Sequence, residues 1–377
     1  MVYLDNSATT AVSKKAAEKA LYMMTECFGN PSSLHTLGFK AEQEIKASRR
    51  IIASALSCKD GELYFTSGGT ESNNTALMGA AHAHRRRGNK IIVSGYEHSS
   101  VIEAARELET RGFEVIYINP DKSGKISPED VAKAVDAKTI LVSVMLVNNE
   151  IGAVNDVALI AAAARRKNAK VLVHCDAVQA FCKIPVHVGR LGVDLLTISG
   201  HKIHAPKGVG ALFVKKGTKI APLIFGGEQQ NKMRPGTENA ASIVAFGAAC
   251  DEAVKSMPLS YAKIKKLSQK LVDELGKIDG IVINSAFDAC PYIVNFSSMA
   301  VKSETMLHFL EERGIYVSGG SACAKGNRSH VLTSLGLSNL QVDTAIRVSF
   351  SAENTESDVD ALISSLKDGL NTLQKIK

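Results

Sequence analysis

The chain has 377 residues, 45% hydrophobic and 22% charged, the composition of a folded globular protein with material for two or three structural units. No apolar run reaches the ~18 residues of a membrane span, and no basic leader with an apolar stretch precedes Met1-Val2-Tyr3-Leu4-Asp5, so neither a membrane contact nor a signal peptide is expected. The formal net charge is +7, but Arg85-Arg86-Arg87 and Arg165-Arg166-Lys167 each close a helical pattern, where cations complement the helix dipole; direct nucleic-acid binding is therefore not expected, while an acidic protein partner stays compatible.

An extended arm, Val2-Tyr3-Leu4, turns through Asn6-Ser7 and leads into a helix over about 13–27. Phe28-Gly29-Asn30-Pro31-Ser32-Ser33 is a loop of turn formers, and a second amphipathic helix follows over 38–56. Apolar runs then predict strands at 63–66, 91–95, 115–118, 139–147, 171–174 and 194–198, with helices near 71–86, 100–111, 127–135 and 158–168 between them. This alternation predicts an α/β unit with a mostly parallel sheet covered on both faces. A further strand is expected at 210–214. Past Met257-Pro258 the pattern changes to a charged helix over 261–277, short strands at 281–284, 293–296, 315–318 and 345–350, a helix near 303–314 and a closing helix over 355–373. The expected organisation is a large domain over 15–257 and a smaller α+β domain formed by 1–14 and 258–377.

Lys202 stands in Ser199-Gly200-His201-Lys202, directly after the apolar run 193–198. Alone it reads as a solvated loop lysine, because an unpaired buried ammonium is costly. One chemistry requires a lysine at such a place: a Schiff base with a carbonyl cofactor such as pyridoxal 5'-phosphate (PLP). Ligands of open parallel sheets bind at the carboxyl ends of the strands, and here each candidate strand end carries polar groups. Gly68-Gly69-Thr70 opens a helix whose N–H groups suit a phosphate, although the same run suits an ordinary helix cap. Asp176 can keep a pyridine nitrogen protonated, Gln179 can donate to a ring hydroxyl, and His98 can stack on the ring and shuttle protons. Each residue has a commonplace structural reading; the combination is far more specific.

Ser199-Gly200-His201-Lys202 followed by Pro206-Lys207-Gly208-Val209-Gly210 resembles the lysine motif of cysteine desulfurases, enzymes of the class V aminotransferase family with the PLP-transferase fold type I. Matching elements run through the chain: Tyr3-Leu4-Asp5-Asn6-Ser7-Ala8-Thr9-Thr10, Asn30-Pro31-Ser32-Ser33-Leu34-His35, the segment from Ser67 to Asn74, Glu97-His98, Asn148-Asn149-Glu150-Ile151-Gly152, the segment from Arg234 to Asn239, and Ser318-Gly319-Gly320-Ser321-Ala322-Cys323. The resemblance implies Lys202 as the Schiff-base lysine and His98 as the catalytic ring-stacking residue. It implies Asp176 and Gln179 on the ring nitrogen and hydroxyl, and Gly69, Thr70, Ser199 and His201 at the phosphate. Thr237 would reach the phosphate held by the partner subunit of a homodimer. Asn149 would lie beside the cofactor and, with Arg347, hold the substrate carboxylate, which an arginine fork fits bidentately. The alternative for Arg347 is a strand residue paired on the surface.

Cys323 separates the enzymes of this fold. The seven cysteines are odd in number, scattered and without a Cys-x-x-Cys pair, which argues against a disulfide framework or a structural zinc site and for a reducing cytoplasm. Cys323 lies among small residues with Gly319, Gly320 and Gly326 around it, a composition expected of a mobile loop, and Lys325 and Arg328 favour its thiolate. The loop is slightly shorter than in the iron–sulfur-assembly branch, which leaves the sulfur acceptor open. The reading is a homodimeric, PLP-dependent cysteine desulfurase that converts L-cysteine to L-alanine, keeps sulfur on Cys323 as a persulfide, and passes it to an acceptor protein for iron–sulfur cluster assembly or tRNA thiolation. No resident metal is expected, a transient iron–sulfur contact at Cys323 aside. A selenocysteine lyase or a class V aminotransferase would share everything except the need for Cys323. A non-catalytic scaffold would have no use for Lys202 and Asp176 together.

Overall fold

The computed structural model describes residues 1–319 and 328–376. Strand β1 (Val2–Tyr3) precedes helices α1 (Lys14–Thr25) and α2 (Thr36–Leu56). An alternating series follows: β2 (Leu63–Thr66), α3 (Gly69–His84), β3 (Lys90–Ser94), α4 (Ser99–Thr110), β4 (Glu114–Ile118), α5 (Pro128–Ala134), β5 (Thr139–Ser143), α6 (Val157–Lys167), β6 (Leu172–Asp176), α7 (Val188–Leu191), β7 (Leu195–Ser199) and β8 (Gly210–Val214). The remainder comprises α8 (Ala240–Leu275), β9 (Val282–Ile283), β10 (Ile293–Ser297), α9 (Ser303–Glu311), β11 (Ile315–Tyr316), β12 (Ser318–Gly319), α10 (His330–Ser334), α11 (Asn339–Asp343), β13 (Ala345–Ser349) and α12 (Glu356–Thr372).

Seven strands form one sheet in the order β2-β8-β7-β6-β5-β3-β4. Neighbours are parallel except where β8 lies between β2 and β7, antiparallel to both. The sheet is thus mostly parallel. Every residue of β5, β7 and β8 is buried, which is why these strands read as continuous apolar runs rather than alternating ones. Polar caps start the helices where the apolar periodicity begins: Ser13 Oγ accepts the Ala16 N–H, and Asp156 Oδ1 accepts the Leu159 N–H at 2.9 Å. A second sheet, β12-β13-β10-β9, is antiparallel. The N-terminal arm joins this side of the molecule, with β1 parallel to β11 and Asp5 bridged to Ser349.

The structure differs from the sequence expectations in the C-terminal third. The helix expected to begin at 261 is the second half of α8, a single 36-residue helix with Pro258 inside it. Proline removes one helix hydrogen bond. It falls, however, between two buried stretches, Ile243–Cys250 and the Ile264, Leu267, Leu271, Leu275 face, whose packing holds the helix together across it. The strand expected at 315–318 is divided: β11 pairs with the arm and β12 with β13. The short helices α7, α10 and α11 were not legible, since one turn shows no periodicity.

Candidate active site

The carboxyl ends of β2, β3, β5, β6 and β7 surround a cavity of about 330 Å³. Its walls include Gly69, Thr70, His98, Asn149, Asp176, Gln179, Ser199, His201 and Lys202, and Arg347 from β13. Ser7 and Ala8 of the arm, with Asn73, Ser100, Met145 and Val178, complete the lining; sequence reasoning assigned these six no role. Asn73 stood within a quoted motif, so its position was visible even though its partner was not.

Asp176 ends β6 and is buried. Its Oδ1 accepts the Val178 N–H at 2.9 Å, the local turn a strand-end Asp commonly makes. Its Oδ2 accepts from the Asn73 amide at 2.7 Å. A carboxylate has lone pairs beyond these two bonds, so the local turn does not exhaust it. Asn73 Nδ2 also donates to Ser100 Oγ at 2.9 Å. That leaves the Ser100 hydroxyl proton for His98 Nδ1, 2.9 Å away, beside the Ser100 backbone N–H at 3.1 Å. With two donors on Nδ1, the neutral ring carries its proton on Nε2. Burial pushes the His98 pKa below its ordinary value; Asp176 opposes this, while Lys202 and His330 add to it. The ring is therefore neutral at pH 7.

Lys202 ends the single 3-10 turn Gly200–Lys202 after β7. Its Nζ donates to the Ser7 carbonyl at 2.5 Å and the Ala8 carbonyl at 2.7 Å. These bonds offset the cost of an ammonium at a buried strand end and draw the arm over the lysine turn, where the Thr10 N–H also donates to the His201 carbonyl at 3.0 Å. Gly200 permits this turn: a Cβ there would lie 2.9 Å from Val209 Cγ1 and 3.0 Å from Ala205 Cβ.

Beside Ser199, α3 begins without a side-chain cap, so its leading N–H groups are available to an anion. Gly69 sits so close to the neighbouring turn that a Cβ would meet Val178 Cγ2 at 3.0 Å. Ser199 Oγ is buried and has no hydrogen-bond partner. His201 is held by Thr9 Oγ1 at 3.2 Å. Burial first, then Lys202, Lys207, Lys183 and His98, pushes its pKa down to about 4.

Arg347 is paired, but inside the protein rather than on the surface. Its Nη2 meets Asp5 Oδ1 at 2.8 Å, and its Nη1 donates to the Asn149 carbonyl at 3.0 Å. Its Nε, and Oδ1 of Asn149, are buried without partners. Gln179 Nε2 donates to the Ser7 carbonyl at 2.9 Å, and its Oε1 accepts from Lys183 at 3.0 Å.

Two sequence-predicted residues stand apart. Thr237 is exposed ahead of α8 and does not line the cavity; its loop is tied to α3 by the Arg234–Glu71 ion pair at 3.0 Å. Cys323, with residues 320–327, lies outside the described residues. The described flanks of that segment both reach the site. Ser318 pairs in register with Arg347, Ser329 Oγ donates to Glu150 Oε2 at 2.5 Å, and His330 Nε2 donates to the Glu97 carbonyl at 2.8 Å.

These residues fit PLP. The cavity offers an amine for its aldehyde, a helix N-terminus for its phosphate and a carboxylate for its ring nitrogen. Buried polar atoms in folded proteins are normally partnered, and five that are not, Ser7 Oγ, Asn73 Oδ1, Asn149 Oδ1, Ser199 Oγ and Arg347 Nε, belong to residues lining this cavity. Among the described residues no group of three or more His, Cys, Asp or Glu is placed to hold a metal ion.

Residues 2–362 match the family model described as Aminotransferase class-V. The cysteine desulfurase IscS of Methanosarcina thermophila is 41% identical over 365 residues, covering 96% of this chain and 90% of that protein. The cysteine desulfurase IscS of Dictyoglomus turgidum is 40% identical over 379 residues, covering 100% of this chain and 96% of that protein. Among solved structures, a NifS-like protein superposes with a TM-score of 0.94 at 35% identity, covering 99% of this chain and 100% of its own. SspA in complex with cysteine superposes with a TM-score of 0.83 at 34% identity, covering 94% and 100%.

Proposed function

Since the chain belongs to the aminotransferase class-V family, we propose that it is a PLP-dependent cysteine desulfurase that converts L-cysteine to L-alanine and retains the sulfur on Cys323. The observation that carries this reading is the convergence of Lys202, Asp176, His98 and Arg347 on one cavity. PLP, when bound, supplies an aldehyde for the substrate amine and a ring that takes up electrons from the α-carbon. Lys202 would hold that aldehyde in the resting enzyme, with Gly69, Thr70, Ser199 and His201 at the phosphate and Asp176 and Gln179 on the ring.

Arg347 binds the substrate carboxylate through the N–H groups that Asp5 and Asn149 leave over, and the Asn149 amide supports it. Asp5 keeps the fork oriented before substrate arrives. Lys202 Nζ would take the α-proton. Asp176, at the end of β6, would hold the ring nitrogen and the proton on it. His98, neutral with its proton on Nε2, moves protons between the substrate thiol and the site. The Cys323 thiolate attacks the substrate sulfur; the S–S bond forms, the C–S bond breaks, and its electron pair goes to carbon, which a proton completes as alanine. Cysteine plus enzyme thiol thus gives alanine plus enzyme persulfide.

The enzyme works as a homodimer in which Thr237 serves the neighbouring subunit's phosphate; the exposure of Thr237 outside its own cavity supports this. A division into a domain over 15–257 and one formed by 1–14 and 258–377 is supported by the separate seven-stranded and four-stranded sheets and by the pairing of β1 with β11, with α8 running across the boundary. An acceptor protein for iron–sulfur cluster assembly or tRNA thiolation takes the sulfur, in the cytoplasm. The six cysteines among the described residues are free, which supports a reducing compartment, and no helix there is long and apolar enough to cross a membrane.

The deciding experiment is mass spectrometry of the peptide holding Cys323 after incubation with L-cysteine, alongside alanine measurement. One added sulfur on that peptide, lost in Cys323→Ala, is the expected result. A persulfide on Cys175 or Cys182 with Cys323→Ala fully active would refute the assignment, and exchange with α-keto acids without sulfur release would favour an aminotransferase.

A further inference from the structure

Lys183 is a buried lysine that the chemistry above does not employ. It follows the turn that carries Asp176 and Gln179, and it does not line the cofactor cavity. Instead it borders a separate cavity of about 230 Å³ on the far side of the Lys202 turn. Its Nζ donates to Gln179 Oε1 at 3.0 Å and stands 5.7 Å from the centre of the Tyr292 ring. Burial pushes its pKa down to about 8, with Cys290 opposing and Arg347 adding to the shift. Lysine is seldom fully buried without a partner that needs it.

The partner here is an amide whose two ends present opposite chemistry. A lysine can only donate, so the oxygen of Gln179 must face Lys183 and its NH₂ must face the other way. One amide hydrogen goes to the Ser7 carbonyl at 2.9 Å; the second is left for the cavity that Gln179 lines. We infer that Lys183 is a positioning residue that locks the Gln179 amide with its donor side toward the cofactor site. The inference rests on the proposed role of Gln179 as donor to the ring hydroxyl. Without Lys183 the Ser7 carbonyl still holds one NH₂ hydrogen, but the second lock is gone; an amide that turned over would present its oxygen, an acceptor, to that hydroxyl, whose ionised form it would repel. The ammonium therefore acts through Gln179 and touches neither cofactor nor substrate.

The test is a double-mutant cycle on PLP binding. Apo forms of the wild type, Lys183→Met, Gln179→Ala and the double variant are titrated with PLP by equilibrium dialysis, and the visible spectrum of each loaded form is recorded. Loss of one charged hydrogen bond predicts PLP binding about 10- to 150-fold weaker in Lys183→Met. Gln179→Ala should lose a similar factor, and the double variant should lose no more than Gln179→Ala alone. Lys183→Gln, whose amide can still donate, should recover part of the affinity. Multiplying losses in the double variant would show Lys183 acting independently of Gln179 and overturn the inference, as would an unchanged affinity and spectrum in Lys183→Met. Should the apo Lys183→Met protein lose its thermal transition, Lys183→Gln takes its place in the same cycle, judged by the same coupling. A wild type that binds no PLP would overturn the cofactor reading as well, so the two failures are distinguishable.

Discussion

Asn73 and Asp176, remote in the chain, meet at 2.7 Å, and the same Asn73 amide reaches Ser100 at 2.9 Å. Because Ser100 in turn holds His98 Nδ1, one asparagine couples the carboxylate to the histidine. Asp176→Asn removes the negative charge that would keep a ring nitrogen protonated. Loss of one such contact costs about 2–4 kcal/mol, a rate factor of roughly 30 to 1,000. Asn73→Asp should act on the same group by another route, since a second carboxylate at this distance raises the pKa of the pair. The acid limb of kcat/KM against pH should then move upward. Unchanged turnover in Asp176→Asn at saturating PLP would reduce Asp176 to a turn-former.

Lys202→Ala should abolish covalent attachment of PLP and turnover. It should also loosen the arm, since the Ala8 carbonyl loses its Lys202 donor and the Ser7 carbonyl is left with Gln179. Borohydride reduction followed by mass spectrometry should label the wild type at Lys202 and leave the variant unlabelled. A variant that still converts cysteine at the wild-type rate would end the reading.

Arg347→Lys keeps the charge but cannot span Asp5, the Asn149 carbonyl and a carboxylate at once. KM for cysteine should rise about tenfold or more, with kcat changed less. Asp5→Asn, which keeps an acceptor beside the guanidinium, should raise KM by a smaller factor. Steady-state alanine formation measures both. A fall in thermal midpoint with KM unchanged would leave Arg347 as an anchor of the arm alone.

Glu97 is fully buried, and burial first, then the neighbouring Asp176, raises its pKa from 4.5 to about 8. Its Oε1 accepts from Ser94 Oγ and the Met145 N–H, both at 2.5 Å, so the proton belongs on Oε2, which has no partner. A carboxyl whose folded pKa is raised contributes stability below its unfolded pKa and loses it as pH rises toward the folded value. Between pH 4.5 and about 8 the folded chain holds a proton that the unfolded chain has released, a slope of at most about 1.4 kcal/mol per pH unit. Glu97→Gln reproduces the protonated shape. The difference in thermal midpoint, variant minus wild type, should grow more positive from pH 5 to pH 8. A difference that stays flat over that range would show that Glu97 carries no such proton.

The sequence by itself determined the sheet and the groups at its strand ends. Lys202, Asp176, His98 and Gly69 each follow an apolar run within a few residues, and a strand end delivers whatever comes next in the chain to one edge of a parallel sheet. Local order is enough for that inference. Tertiary structure alone decided the partners: Ser7 and Ala8 on Lys202, Asp5 on Arg347, Asn73 on Asp176. Each pairing joins segments that no local propensity relates, and each exists because burial demands a partner for a polar group that the strand end has taken out of water. The same competition explains α8. Pro258 reads locally as a boundary, and a proline inside a helix costs about 3 kcal/mol, but apolar faces buried on both sides of it keep the helix whole. Periodicity shows where a chain wishes to be buried; only the folded packing shows against what.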